Sequence, residues 1–365
     1  MNDKKYIRYC FELAKKSLGK TSPNPIVGAV IVYKNKIIAE GYHTEYGKPH
    51  AEVEAINDAI KKGYKNLLPK STLYVNLEPC CHWGKTPPCV NKIIDVGIKK
   101  VVCSMYDPNP KVNSKGIEIL EKNDVKCKVG VLEDEAKELN KFYIKWITKK
   151  LPYVTIKSAI TFDGKIATVL GESKWISSKQ SRNYVYKLRS IYDAVLVGIN
   201  TVLKDNPKLT THNFGRNPQR VVVGDITKFF NIYNKYNVFK DDNKTIFFTP
   251  QSKLTKIIVK KFNNVEVVEF KEKKILFKKI LSYLAQKGIS SVLVEGGGET
   301  NWNLINENLV DDFILIVAGK IFGGRDAKTW VEGAGVKLPH QAYRIKFLNI
   351  EHIGEDFIIN AKMVK

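Results

Sequence analysis

Three of the six cysteines, Cys80, Cys81 and Cys89, stand within ten residues in the stretch LEPCCHWGKTPPC at 77–89. A chain of 365 residues fills real cores and needs no disulfide framework, so the crowding asks for a chemical reason. Cys80 follows Pro79 at the end of an expected strand. Cys89 follows Pro87 and Pro88, and proline favours the first turn of a helix. Upstream, His50 opens the helical run HAEVEAINDAIKKG, with Glu52 two residues on. His50 and Cys89 therefore sit at two helix starts, whose positive dipole ends favour anionic ligands and lower a thiol pKa. A fold that uses these residues together must bring one strand end and two helix N-termini to a point.

One histidine and two cysteines leave the fourth position of a tetrahedral Zn²⁺ to water, which marks a catalytic rather than a structural site. The metal brings the pKa of that water toward neutrality, and Glu52 stands where it can carry protons from nucleophile to leaving nitrogen. The order His-x-Glu, then Pro-Cys and a second Cys, is the signature of zinc nucleobase deaminases, in which the glutamate is acid and base and not a ligand. The competing readings are a closed Cys₃His site using Cys81, buried thiols without metal, or a non-catalytic zinc or nucleotide-binding module. Adjacent residues rarely both reach one small ion, which sets Cys81 aside. A structural site has no use for an unligated carboxylate such as Glu52.

Around these motifs the chain alternates strand and helix signals, the mark of α/β domains. Ile7, Phe11, Ala14 and Leu18 recur at helical spacing near the N-terminus. Strands are expected at 26–33, 36–40, 71–77, 99–104 and 126–131, and helices at 50–63, 89–96, 115–123 and 133–146. Pro152 interrupts the pattern, and strands resume at 153–159, 194–198, 220–223, 244–249, 265–270, 291–295 and 313–318. This gives two domains, 1–149 and 150–365. No run approaches the roughly 20 apolar residues of a membrane span, and the N-terminus is too charged for a signal peptide, so a cytoplasmic enzyme is expected. The formal charge of +23 is spread along the chain without a dense basic block. It reads as a solvated surface that attracts small phosphorylated substrates rather than as a nucleic-acid face. A homo-oligomer is the expected assembly.

In the second half, VLVEGGGETNWNLI at 292–305 reads strand, glycine turn, helix, and Gly296, Gly297 and Gly298 would let backbone N–H groups approach a phosphate. A plain tight turn explains the glycines equally well, and the absence of GxGxxG argues against a Rossmann domain.

These motifs together resemble the bifunctional riboflavin-biosynthesis deaminase/reductase family, over the whole chain. Eight residues separate Cys80 from Cys89, where cytidine and tRNA deaminases have two. NPIVG at 24–28, DPNP at 107–110, KSAITFDGKIA at 157–167, SKWIS at 173–177, LRSIYDAVLVGINTV at 188–202 and VEGGGETNW at 294–302 extend the likeness. The resemblance implies a cytidine-deaminase-like α/β/α domain followed by a dihydrofolate-reductase-like α/β domain. It implies zinc-hydroxide deamination of 2,5-diamino-6-ribosylamino-4(3H)-pyrimidinone 5′-phosphate, then NADPH-dependent reduction of the ribosyl group to ribityl. By motif match, Asn24, His43, His82 and Lys85 would contact the deaminase substrate. Ser173, Arg189, Leu209, His212 and Glu295 would face the reductase substrate, and Ala159, Trp175, Thr201, Asp205 and the three glycines NADPH. The chain departs from the family pattern in places. DNPKLTTH at 205–212 replaces DDPxLTxR, so Asn206 and His212 stand for aspartate and arginine. Gly224 stands for the usual aspartate, Cys81 for serine, and VNSKG at 112–116 for VxGxG. The alternatives these leave open are a deaminase with an impaired reductase, or a zinc deaminase acting on a base in RNA or DNA.

Overall fold

The computed structural model describes residues 3–272 and 275–364. The chain divides into two compact units, Met1–Leu151 and Pro152–Lys365.

The first unit runs α1 (Asp3–Lys15), β1 (Gly28–Tyr33), β2 (Lys36–Tyr42), α2 (Ala51–Lys61), β3 (Thr72–Val75), α3 (Cys89–Asp95), β4 (Lys100–Cys103), α4 (Lys115–Lys122), β5 (Lys126–Lys128), α5 (Glu133–Leu139) and α6 (Lys141–Lys149). Its sheet has the order β2-β1-β3-β4-β5; β1 pairs antiparallel with β2 and β3, and β3, β4 and β5 are parallel. Ile7, Phe11 and Ala14 face the core, whereas α1 ends at Lys15 and leaves Leu18 in an exposed turn, so that residue is not on the helical stripe expected of it. A Cβ at Gly28 would lie 2.2 Å from the Cys10 carbonyl, so only glycine lets α1 lie this close to β1.

The single helix expected at 133–146 is two helices with Asn140 at the joint. The buried Asn140 carboxamide accepts from the Ile26 amide at 2.9 Å and donates to the Ile26 carbonyl at 3.1 Å. Asn76, past the end of β3, accepts from the Gly28 amide and donates to the same Ile26 carbonyl. A polar residue committed to a distant backbone has displaced continuous helix, and the two asparagines fix the segment leading from Asn24 into β1.

The second unit runs β6 (Tyr153–Thr161), α7 (Lys179–Ile191), β7 (Ala194–Gly198), α8 (Ile199–Asp205), β8 (Gln219–Val223), β9 (Thr245–Pro250), α9 (Lys253–Val259), β10 (Val265–Phe270), α10 (Phe277–Gln286), β11 (Ser291–Val294), α11 (Gly298–Asn306), β12 (Asp312–Ala318), β13 (Ile345–Ile353) and β14 (Asp356–Met363). The sheet order is β10-β9-β8-β7-β11-β6-β12-β14-β13. From β10 to β12 every neighbouring pair is parallel, and the near-continuous apolar runs of these strands match burial on both faces. The hairpin β13–β14 adds on antiparallel and was not expected. Nearly every residue of β13 is exposed, so it lacks the buried run that marks the other strands. Among the described residues no helix is long and apolar enough to cross a membrane.

Candidate active sites

In the first unit, His50 is the N-cap of α2, Cys80 lies in the loop leaving β3, and Cys89 is the first residue of α3. His50 Nδ1 lies 3.4 Å from both Cys80 Sγ and Cys89 Sγ. Ligand atoms spaced this way fit one tetrahedral zinc, whose bonds of about 2.0–2.3 Å put neighbouring donors roughly 3.5 Å apart. Cys81 turns away, its Sγ on the Lys111 carbonyl at 3.8 Å, and among the described residues only His50, Cys80 and Cys89 form such a cluster. The donor set therefore has three members and leaves a position open.

Charge at this point is arranged for thiolate. The Cys89 thiol, and then His50, stabilise the Cys80 thiolate against its burial and bring its pKa down to about 4, and the Cys89 amide adds a hydrogen bond at 3.3 Å. That thiolate, and burial, raise the pKa of the Cys89 thiol. Glu52, the second residue of α2, is buried, and burial, reinforced by Cys80, pushes its carboxyl up to about 7. A carboxyl in that range gives and takes protons near neutral pH.

A cavity of about 420 Å³ opens onto His50, Cys80 and Glu52, and Asn24, His43, His82 and Lys85 line it as well. His43 donates from Nδ1 to the Pro49 carbonyl at 3.1 Å, which leaves Nε2 to accept from Asn24 Nδ2 at 3.2 Å. Burial lowers the His43 pKa and keeps it in that neutral form. Asn24 is thereby oriented, with its side-chain carbonyl as the acceptor it can offer a pyrimidine edge. His82 carries a buried Nδ1 with no hydrogen-bond partner among the described residues, and the Lys85 ammonium lies 4.2 Å from the Tyr46 ring centre.

Sequence reading missed the far wall. Asp107 and Tyr143 line the cavity, and Tyr143 donates to Asp107 at 2.7 Å. Burial raises the Asp107 carboxyl to about 6. Behind it, Glu78 accepts from the amides of Asp107, Ser114, Gly116 and Ile117 and so ties the DPNP loop to α4. A signal was present in DPNP at 107–110, but nothing local says that its aspartate turns inward.

In the second unit a cleft of about 470 Å³ is lined by Ala159, Ser173, Trp175, Arg189, Thr201, Asp205, Leu209, His212, Glu295, Gly296 and Gly297. Gly298 is buried and does not line it; a Cβ there would meet Glu332 and the Thr329 carbonyl, so that glycine serves packing. At Gly297, the N-cap of α11, a Cβ would meet nothing within 4 Å, and the backbone is open to a ligand. Glu295 accepts from Arg189 Nε at 2.7 Å and Nη2 at 3.1 Å, and pairs with Lys157 Nζ at 2.9 Å. Burial alone would raise its carboxyl, but the two cations outweigh it and hold Glu295 well below the usual carboxylate range. The third arm of Arg189 donates to the Thr210 carbonyl at 2.8 Å, so this guanidinium is committed to the cleft wall. Ser173 donates to Asp205 at 2.9 Å, and the Arg182 guanidinium lies 4.4 Å from the exposed Trp175 ring. His212 stacks on Tyr186 at 4.0 Å between ring centres. Lys157 went unread because a lysine in a strand looks like surface until Glu295 is placed beside it. The open cleft, with a glycine turn exposed at Gly296 and Gly297, has room for an extended dinucleotide.

Residues 152–359 match the RibD C-terminal domain family, and residues 1–105 match the cytidine and deoxycytidylate deaminase zinc-binding region. The riboflavin biosynthesis protein RibD of Aquifex aeolicus is 38% identical over 98% of this chain and 97% of its own. The chain belongs to the RibD family. The RibD of Escherichia coli is 32% identical over 99% of both chains. Among solved structures, a diaminohydroxyphosphoribosylaminopyrimidine deaminase/5-amino-6-(5-phosphoribosylamino)uracil reductase from Thermotoga maritima is 38% identical and superposes with a TM-score of 0.87, covering 99% of both chains. RibD from Acinetobacter baumannii is 31% identical with a TM-score of 0.86, covering 100% of this chain and 99% of its own. As a RibD-family protein the chain is a bifunctional enzyme of riboflavin biosynthesis, joining a zinc-dependent deaminase domain to a reductase domain of the NADPH-using type.

Proposed function

We propose that the chain deaminates 2,5-diamino-6-ribosylamino-4(3H)-pyrimidinone 5′-phosphate in residues 1–149 and reduces the ribosyl group of the product in residues 150–365. The observation that carries the deaminase reading is the triangle of His50 Nδ1, Cys80 Sγ and Cys89 Sγ with the buried Glu52 beside it. Zinc held there would supply a Lewis acid and an activated water. Glu52 takes the proton of the attacking water and delivers it to the departing amine, a task that suits a carboxyl near neutrality. Asn24, oriented by His43, meets the pyrimidine edge, while His82 and Lys85 at the rim meet the rest of the substrate.

In the reductase cleft NADPH would supply the hydride for C1′ of the ribose. Glu295, locked between Arg189 and Lys157, stays ionised and fixes both cations at the cleft floor. Ser173, Leu209 and His212 face the sugar phosphate, and Ala159, Trp175, Thr201, Asp205, Gly296 and Gly297 face the coenzyme. The exposed edge strand β13 supports a homo-oligomer in the cytoplasm. The test is mass analysis of the diaminopyrimidine phosphate incubated with zinc-loaded protein. Exchange of one amine for oxygen without NADPH, and gain of two further hydrogens with it, are expected. An unchanged substrate in both arms would sink the reading.

A further inference from the structure

A second cleft of about 440 Å³ adjoins the reductase cleft and shares Lys208, His212 and Asn237 with it; Thr210, Asn213, Asn217, Lys240 and Asp241 complete its wall. We propose that this second cleft is a subsite for a phosphate monoester, held by Lys208 and Lys240. The inference rests on the reductase reading of the adjoining cleft.

The charge balance is the first reason. Asp241 is the acidic residue of the wall, and the fully buried Arg220 neutralises it through two hydrogen bonds, at 2.7 and 2.5 Å. Neither the Lys208 nor the Lys240 ammonium has an ion-pair or hydrogen-bond partner among the described residues. Two free cations on one wall suit a dianion with several acceptor oxygens. The other cations nearby are spent: Arg189 on Glu295 and the Thr210 carbonyl, Arg216 on Asp193 at 2.9 Å. His212 adds no charge near neutral pH, since burial, Arg189 and Lys208 all lower its pKa, and its ring lies flat on Tyr186.

Rigidity is the second reason. Asn206 donates to the Lys235 carbonyl at 2.9 Å and accepts from the Asn237 amide at 2.7 Å, while Asn237 Nδ2 donates to the Asn206 carbonyl at 2.7 Å. An aspartate at 206 could only accept, and would lose the bond to Lys235. Arg220 also donates to the Lys208 carbonyl at 3.0 Å. Asn206 and Arg220 thus pin the segment bearing Lys208 to the segment bearing Lys240. Both positions at which the sequence departs from DDPxLTxR then belong to one arrangement: His212 gives up the charge, and Asn206 helps bring Lys240 to replace it.

Two phosphate monoesters enter this enzyme, the 5′-phosphate of the pyrimidine substrate and the 2′-phosphate of NADPH. The experiment uses the full chain and the already deaminated pyrimidine, so that the deaminase plays no part. Steady-state reduction is measured for Lys240→Gln, Lys208→Gln and the double variant, with phosphorylated and dephosphorylated pyrimidine, and with NADPH and NADH. Lys240→Gln is expected to raise KM for the phosphorylated pyrimidine about tenfold or more, with kcat and the dephosphorylated substrate little changed. A rise in KM for NADPH but not NADH would assign the subsite to the coenzyme instead. Unchanged KM values throughout in the double variant would overturn the proposal. Binding of inorganic phosphate by calorimetry, weakened by the same variants, tests the subsite even if no reduction is seen, an outcome that would count against the reductase reading alone.

Discussion

The proximity of His50 Nδ1 to two sulfurs makes each ligand separately testable. Cys89→Ala is expected to lose zinc and deamination together, whereas Cys81→Ser keeps both, because the Cys81 thiol faces the Lys111 carbonyl. Metal content by atomic emission checks this, and loss of zinc from Cys81→Ser would mean the ligand set is wrong. Glu52→Gln is expected to keep the metal and lose deaminase turnover by about 10²–10⁴-fold, the usual share of a general acid and base; near-normal turnover would remove Glu52 from the mechanism. In the second unit, Glu295→Gln removes the carboxylate that balances the buried Arg189 and the half-buried Lys157, at a cost of about 3–5 kcal/mol at neutral pH. The sign of its pH dependence follows from the depressed folded pKa. The stability Glu295 contributes is full above the ordinary glutamate value of about 4.3 and is lost as pH falls below it toward the folded pKa. Thermal melts of the wild type should therefore fall more steeply below pH 4 than those of Glu295→Gln, and parallel curves would refute the account. The meeting of His50, Cys80 and Cys89, with Glu52 buried nearby, was legible because residue type and spacing point to it. Glu78, Asp107 and Lys157 were not, because each acquires its role from a partner distant in sequence.

At the scale of elements, the parallel strands of both units were readable from short apolar runs closed by glycine or proline. What escaped was set by contacts between elements. The joint at Asn140 exists because its carboxamide closes on Ile26, and no local propensity marks it against the helical residues on either side. Asn140→Ala would strand one buried amide hydrogen on Ile26, while the Ile26 carbonyl keeps its bond from Asn76. The expected loss is about 1–3 kcal/mol, read as a lower denaturation midpoint. The damage should reach the deaminase through Asn24, two residues before Ile26, as a raised KM with zinc content intact. Unaltered stability would mean that Asn140 merely tolerates its position and does not hold the β1 entry.

The whole-molecule question is what covers the end of the larger sheet. Strand β13 is an edge strand, and edges are normally blunted by charge, proline or a covering element. Here Ile345, Phe347 and Ile350 are exposed, Phe347 and Ile350 each at 62%. Simple alternation would send Phe347 and Ile350 to opposite faces. The register shift between Phe347 and Asn349 inserts Leu348, so that Ile345, Phe347 and Ile350 oppose Met363, Ala361 and Ile359 of β14 on a single face. The irregularity thus gathers on one face apolar side chains that simple alternation would divide between two, and an exposed apolar patch of this kind marks an association surface. In the homo-oligomer proposed above, a second copy of the chain would cover it, the same hairpin meeting itself across a two-fold axis. The wild type is accordingly expected to sediment as a dimer or a multiple of one at micromolar concentration. The double variant Phe347→Glu/Ile350→Glu should sediment as a monomer, because burying two like charges at a self-complementary contact is strongly unfavourable. Its zinc content and deaminase turnover should persist, since His50, Cys80 and Cys89 all lie in the other unit. A monomeric wild type, or a double variant that still dimerises, would show that the hairpin face is not the contact.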